Sequence, residues 1–247
     1  MKKNRMMRLA SILMIAVLMT TCTISGTFAK YVSAVSANDT ARVAKWGVEL
    51  TADADVFKPT YNGTSGVAVK ADDDTDVIAP GTTGTATIFT IAGAPEVDVD
   101  VVATLGAYTI ATLPAGTYKD YTNQNPGTPD YVLGSAYKPV KWTLTKVTAG
   151  IDGIDGNGDD QTNVEVAAQN LDAVQTYLTG ISTRYEVESN EFADIVGEYT
   201  LTWDWAFEVD DKADTFMGQV AAGVAAAPAG YVGNESFAFS LTVTQVD

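Results

Sequence analysis

Apolar and polar residues alternate with a period of two over much of this chain. From Tyr199 to Val209, the residues Tyr199, Leu201, Trp203, Trp205, Phe207 and Val209 fall on one face, and Thr200, Thr202, Asp204, Ala206 and Glu208 on the other. Strict alternation over such a length marks a strand with one buried face. Phe237, Phe239, Leu241 and Val243 repeat the pattern near the C-terminus. Val97, Val99, Val101, Ala103 and Leu105 form another row, opposed by Glu96, Asp98 and Asp100, and Val140, Trp142 and Leu144 form a shorter one. Residues 44–50 and 85–91 complete the predicted strands.

Turn-rich pieces separate these rows: Ala79-Pro80-Gly81, Leu113-Pro114-Ala115-Gly116, and the Asn/Pro/Gly stretch 123–129. Many short strands punctuated by Gly and Pro predict an all-β fold, a jelly-roll-like β-sandwich. One segment departs from the period of two. Val164, Ala167, Ala168, Leu171, Val174, Gln175 and Leu178 fit one face of an amphipathic helix over residues 163–181, closed by Gly180. It reads as an insertion near 150–181 packed on the sandwich. The Ala/Gly-rich stretch 221–230 reads as a loop, and the acidic run Asp72–Asp76 as a solvated one.

The N-terminus changes the picture. Lys2, Lys3, Arg5 and Arg8 precede an apolar run from Ala10 to Met19, and Thr27 and Ala29 are the small residues of a cleavage site. This is the layout of a secretory signal peptide, and its apolar core falls short of the roughly 20 residues a membrane span needs. The expected organisation is a signal peptide over 1–29, a flexible arm over 30–41 and a jelly-roll-like domain over 42–247, secreted and with no stable membrane span after cleavage. The whole chain has a formal net charge of −16. Loss of a leader with four cations and no acid makes the remainder more acidic still. Such a surface argues against nucleic acid, whose phosphates need Lys and Arg, and attracts cations such as Ca²⁺.

There is no histidine, and the single cysteine, Cys22, lies in the leader. Disulfides, Cys metal sites, Cys nucleophiles, His-based zinc motifs and the Ser–His–Asp triad are therefore all absent from the region after it. Among the remaining motifs the sharpest is Asp155-Gly-Asn157-Gly-Asp159. Oxygen ligands at alternate positions of a Gly-rich turn can wrap Ca²⁺, although Asp160 stands where an EF-hand loop has Gly and Val166 where it has Glu. The alternative is an acidic loop that caps a helix. Asp214-Thr215 is faintly like the start of an aspartic-protease motif, but Phe216 replaces its Gly and no second copy provides the partner carboxylate; a turn is the simpler reading. Trp203 and Trp205 lie on the apolar face of their strand, which favours core packing over sugar stacking.

After the cleavage site, residues 30–41 alternate weakly through Tyr31, Val35 and Ala37 between small polar residues. A free strand of this kind can pair with another subunit's sheet edge; the plain alternative is a disordered arm. Here the residues resemble a known family. Gly26-Thr-Phe-Ala-Lys-Tyr31 and Asp39-Thr-Ala-Arg-Val-Ala-Lys-Trp-Gly-Val48, with Ala79-Pro-Gly81, Phe89-Thr-Ile91, Tyr199–Phe207, Asp214-Thr215 and Thr242–Asp247, are similar to Gram-positive exported proteins of the TasA/camelysin type. The resemblance implies processing by a SipW-type signal peptidase and a jelly-roll-like domain. It also implies assembly into extracellular biofilm-matrix fibres, with Tyr31, Val32 and Val35 as donor-strand side chains, self as the main partner and other matrix proteins beside it. The family's metalloendopeptidase label implies an enzyme, which a chain without His supports poorly, since carboxylates alone suit Ca²⁺ or Mg²⁺ better than zinc. The leading expectation is a secreted, non-enzymatic fibre subunit. The alternatives are a camelysin-like metallopeptidase and a monomeric surface- or carbohydrate-binding β-sandwich.

Overall fold

The computed structural model describes residues 47–52, 56–62, 68–73, 75–122, 130–149, 159–207 and 209–246. All belong to one compact unit over 44–247. The proposed leader, the arm residues Tyr31, Val32 and Val35, and the loop residues Asp155 and Asn157 lie outside the described residues.

The fold is all-β, with antiparallel strands in a sandwich-like arrangement. The larger sheet has the order β1-β4-β11-β8-β9, formed by Val48–Ala52, Thr82–Gly93, Gly197–Trp205, Lys141–Thr148 and Gln161–Gln169. The smaller has the order β10-β5-β12, formed by Arg184–Tyr185, Val99–Leu105 and Phe239–Gln245. Two hairpins complete the strands: β2 (Thr60–Asn62) with β3 (Ala68–Lys70), and β6 (Gly116–Tyr118) with β7 (Tyr131–Leu133). Strand β11 is central because both of its edges are paired, with β4 on one side and β8 on the other, and one of its faces is buried. Tyr199, Leu201, Trp203 and Trp205 are buried, and their partners on β4 and β8 include Phe89, Leu144 and Trp142.

The two sheets meet through aromatic side chains. Phe89 of β4 stacks on Tyr199 at 4.3 Å between centroids and on Phe239 of β12 at 4.6 Å. Trp142 meets Phe237 edge-on at 5.6 Å and Phe57 at 5.8 Å. A β-bulge opposite Tyr199 and Thr200 puts both Ile88 and Phe89 into the core, an extra residue on one strand where strict alternation would expose one of the two.

Two segments differ from the sequence reading. The helix expected over 163–181 begins only at Leu171; residues Gln161–Gln169 are strand β9, and α1 runs from Leu171 to Ile181. The free edge of β8 offers ladder hydrogen bonds to this segment, Val166 turns inward while Val164 is exposed, and Ala168 takes φ +46° near the end of β9. Asn170 then caps α1, its Oδ1 accepting from Asp172 N at 3.0 Å. The helix passes through Gly180, which is not its stop. The aromatic strand also ends early, at Trp205, leaving Phe207 and Val209 largely exposed. Asp210 accepts from Ala213 N at 3.1 Å and starts a second helix, α2 (Asp211–Ala221), where a turn and loop were expected.

Trp203 is fully buried and its indole N–H donates to the Val56 carbonyl at 3.0 Å. Trp203→Ala leaves a large cavity and an unpaired carbonyl. The expected loss is about 3–5 kcal/mol, read as a lowered urea midpoint at unchanged slope; a loss below 1 kcal/mol would contradict this central placement.

Candidate functional site

The small sheet has two unlike edges. On one side of β5 the outward N–H groups of Val101, Ala103 and Leu105 all find partners. Val101 N donates to Thr183 O at 2.9 Å. Ser182 Oγ bridges Ala103, accepting from its N at 2.8 Å and donating to its O at 2.9 Å. Leu105 N donates to Gln175 Oε1 on α1 at 2.7 Å. The other side is β12. Gly106 N donates to Ala238 O at 2.6 Å and Val246 N to Asp98 O at 3.0 Å, which sets the phase of the ladder. Ser240, Thr242 and Thr244 bond to β5, so Phe239, Leu241, Val243 and Gln245 turn their N–H and C=O groups outward. Among the described residues no strand lies beyond them.

Side chains report the same opening. Val99, Val101, Ala103 and Leu105 of β5 are at most 3% exposed, whereas Phe239, Leu241 and Val243 of β12 are only half-buried. Opposite, on the larger sheet, Leu50 of edge strand β1 pairs directly with buried Ile91 and therefore shares its inward face. Leu50 is nevertheless 39% exposed, against 0% for Ile91. An apolar seam thus runs between β1 and β12, bounded by Val48, Leu50, Phe239, Leu241 and Val243. The remaining edge, β9, shows a mostly polar and exposed row and two irregularities in its register with β8, features that disfavour further pairing.

A cavity of about 210 Å³ lies between the β4–β5 connection and the segment after β10. Its walls are the β4–β5 connection (Gly93, Ala94, Pro95 and Val97) and the segment 185–196, with Tyr185, Glu186, Phe192 and Val196. Gly93 lines it with φ +101°, and a Cβ there would fall 1.6 Å from the Gly47 carbonyl oxygen, so only glycine lets β1 enter at this point. The lining is mainly apolar, and the wall segments carry Glu96, Glu186, Glu188, Glu191 and Asp194 without a cation. Burial raises the Tyr185 hydroxyl pKa, and the charges of Asp194 and Glu191 raise it further. Two cations from neighbouring strands reach these segments: Lys146 donates to the Asp194 carbonyl at 2.5 Å and lies 3.8 Å from Glu165, and Arg184 pairs with Asp98 at 2.7 Å.

Two other polar groupings are structural. Asp214, in the first turn of α2, accepts from Tyr137 Oη at 2.8 Å and Trp205 Nε1 at 3.0 Å, and Tyr131 donates to Asp210. Burial raises the Asp214 pKa despite these two bonds, which pull the other way. This clamp fastens α2 to the sandwich, and its carboxylates are spent on Tyr and Trp donors. Asp159, the described member of the proposed Ca²⁺ loop, sits just before β9, and its carbonyl accepts from Gln161 Nε2 at 3.0 Å. Its companions Asp155 and Asn157 lie outside the described residues, as do Tyr31, Val32 and Val35.

Glu235 was invisible to periodicity. It is buried, Oε1 accepts from Ala111 N at 2.9 Å, and Oε2 and Trp142 Nε1 lie buried without a hydrogen bond of ordinary geometry. Burial pushes its pKa up to about 7; the Ala111 N–H, the Trp142 indole and the Lys138 charge pull more weakly towards the carboxylate. No protein-family model, curated protein or solved structure matches the chain.

A carboxyl with a raised folded-state pKa stabilises the fold while both states are protonated and loses that contribution as pH rises. For Glu235 the window runs from its ordinary 4.5 to about 7. The loss is of order 3 kcal/mol at about 1.4 kcal/mol per unit. Relative to Glu235→Gln, the parent's urea midpoint should fall progressively between pH 4.5 and 7 and hold its distance above that. A constant difference across the window would remove the buried carboxyl from the pH response.

Proposed function

We propose that this chain is a secreted structural subunit that polymerises by strand donation: residues 30–41 of one copy fill the seam between β1 and β12 of the next. The observation that carries the reading is Leu50, which faces inward beside fully buried Ile91 yet remains 39% exposed. A strand added beside β12 would cover it, together with Phe239, Leu241 and Val243, and would pair the outward groups of β12. The added strand would extend the small sheet opposite β1, in keeping with a jelly-roll-like sandwich.

Magnitudes say what the added strand needs. Each main-chain hydrogen bond contributes about 1 kcal/mol net, while fixing each residue of a free arm costs about 1–2 kcal/mol. Main-chain pairing alone roughly breaks even, so affinity has to come from apolar side chains entering the seam, at about 1.5–3 kcal/mol for a fully buried large one. Tyr31, Val32 and Val35 are the residues of the arm that can supply it. The donor belongs to one copy and the seam to another, a head-to-tail relation that does not close, so it makes filaments. The resemblance of residues 26–48 to TasA/camelysin-type exported proteins supports the same reading and adds a biofilm matrix as the setting.

Electron microscopy of residues 30–247 beside residues 42–247 tests it. Fibres from the longer chain and discrete particles from the shorter are expected. Discrete particles from both, over a range of salt, would refute strand donation. Because the body is strongly acidic, fibres should also bundle in millimolar Ca²⁺ and disperse in EDTA; equal light scattering in the two would count against cation-mediated bundling.

A further inference from the structure

We infer that β1 is a selectivity element: projecting one strand beyond β12, it admits a single extended segment to the β12 edge and shuts out the folded sheet edge of a second copy, with which β12 would otherwise pair along its whole length. This deepens the strand-donation reading, on which the identity of the admitted segment rests.

The edge itself is built for pairing. Residues Phe239–Gln245 carry no charge, no proline and no register irregularity with β5, the devices that commonly blunt an edge. Their outward groups belong to Phe239, Leu241, Val243 and Gln245. Two copies set antiparallel about Thr242 match all of these positions: Phe239 with Gln245 of the second copy, Leu241 with Val243, and the reverse. A shift by two residues in either direction leaves an outward residue of each strand unmatched. Thr242 then faces its own counterpart, and the solvent side brings together only Ser240, Thr242 and Thr244. No like-charge contact opposes the pairing at the edge.

What opposes it is the second layer. Phe89 of β4 stacks on Phe239 at 4.6 Å, so β12 lies beneath β4. Strand β1 lies one strand further out, paired with β4 on the side away from β11. The exposures show the same step: Ile91 of β4 is 0% exposed, and Leu50, directly beside it on β1, is 39% exposed. Neighbouring strands lie about 4.8 Å apart and packed sheets about 10 Å. A strand added to β12 therefore sits beneath β1. If that strand were the β12 of another folded copy, its own β4 would lie over it and would coincide with β1. The two cannot share that space. A lone strand carries no second layer and enters freely. Residues 30–41, the proposed donor, lie outside the compact unit over 44–247, as an admitted segment must. Excluding a competitor by a clash is one of the two routes to specificity, and here the clash comes from backbone rather than from a side chain.

The test uses residues 42–247, which keep β1 and lack the donor, with Thr242→Cys at the position where two β12 strands would face each other. No cysteine follows Cys22, so a disulfide between copies reports contact at this position. Under mild oxidation these bodies should stay monomeric by gel filtration with light scattering. Removal of β1, in residues 53–247 carrying the same substitution, should make disulfide-linked dimer the main species. Gly93→Val in residues 42–247 keeps β1 but puts a Cβ 1.6 Å from the Gly47 carbonyl oxygen, and should raise the dimer yield as well. Circular dichroism and a cooperative urea transition establish that each variant is folded. Disulfide dimer as the main species from 42–247 itself overturns the inference, and so does a folded 53–247 that stays monomeric. If 53–247 does not fold, Gly93→Val decides by the same rule. Microscopy of residues 30–247 separates the inference from the broader reading. Fibres there, with disulfide dimer from 42–247, leave strand donation standing and remove the screen. Monomeric 42–247 and dimeric 53–247, with no fibres from 30–247, keep the screen and remove donation.

Discussion

A sheet of five strands faces a sheet of three, and the inequality leaves part of an inward apolar face without a cover. The small sheet stops growing in two ways. Beyond β5, helix α1 and the Ser182–Tyr185 segment satisfy the backbone with Gln175, Ser182 and Thr183. Beyond β12 nothing comparable exists among the described residues. The unpaired side coincides with the half-exposed side chains of both sheets, so backbone and side-chain vacancies reinforce one another. An edge that only lacked hydrogen-bond partners would be solvated at little cost; an edge that also leaves Leu50 and Leu241 wet gains from being filled.

The aromatic column of Tyr199, Phe89 and Phe239 makes that seam a defined surface. It joins the central strand of the large sheet to the edge strand of the small one, with ring separations of 4.3 and 4.6 Å. Such stacks add about 0.5–1.5 kcal/mol per pair beyond the area they bury. They fix the position of β12 relative to β4. Under the strand-donation proposal, an edge ordered in this way leaves the donor's own ordering as the main term against association. Glu235 lies in the stretch leading to this strand, where Thr109 and Ser236 pair. Its burial beside Trp142 couples the packing there to pH.

Much of this architecture is legible in the chain. The rows through Tyr199–Trp205, Val99–Leu105 and Phe239–Val243 are strands because an alternating apolar face needs a sheet to bury it, and Trp203 and Trp205 are core as their face implies. Where local pattern and tertiary demand conflict, the pattern misleads. Val164, Ala167 and Ala168 mimic helical spacing, but an open edge on β8 draws them into a ladder. Phe207 and Val209 continue the alternation of β11, yet Asp210 caps a helix that ends it. The seam is a different case. Phe239, Leu241 and Val243 have the same alternation as β5, and nothing in the order of residues distinguishes a strand covered on both sides from one covered on one. That distinction is a property of strand order in the sheet. Glu235 had no local signal either, being one acid among thirty-one acidic residues.

Charge then decides which assemblies of such a molecule are accessible. With thirty anions against eight cations in residues 47–247, two bodies approaching by arbitrary faces repel, and four of the eight cations are already paired within the fold through Asp98, Asp120, Glu165 and Asp172. At physiological ionic strength this repulsion reaches only about 8 Å, so it acts at contact rather than at a distance. It therefore penalises isologous face-to-face pairing, in which like meets like, and spares contacts in which a cationic segment meets the body. The arm over 30–41 carries one cation, Lys30, against one anion, Asp39. In the proposed head-to-tail relation the donated segment 30–41 carries no net side-chain charge, so it meets the acidic body without that repulsion.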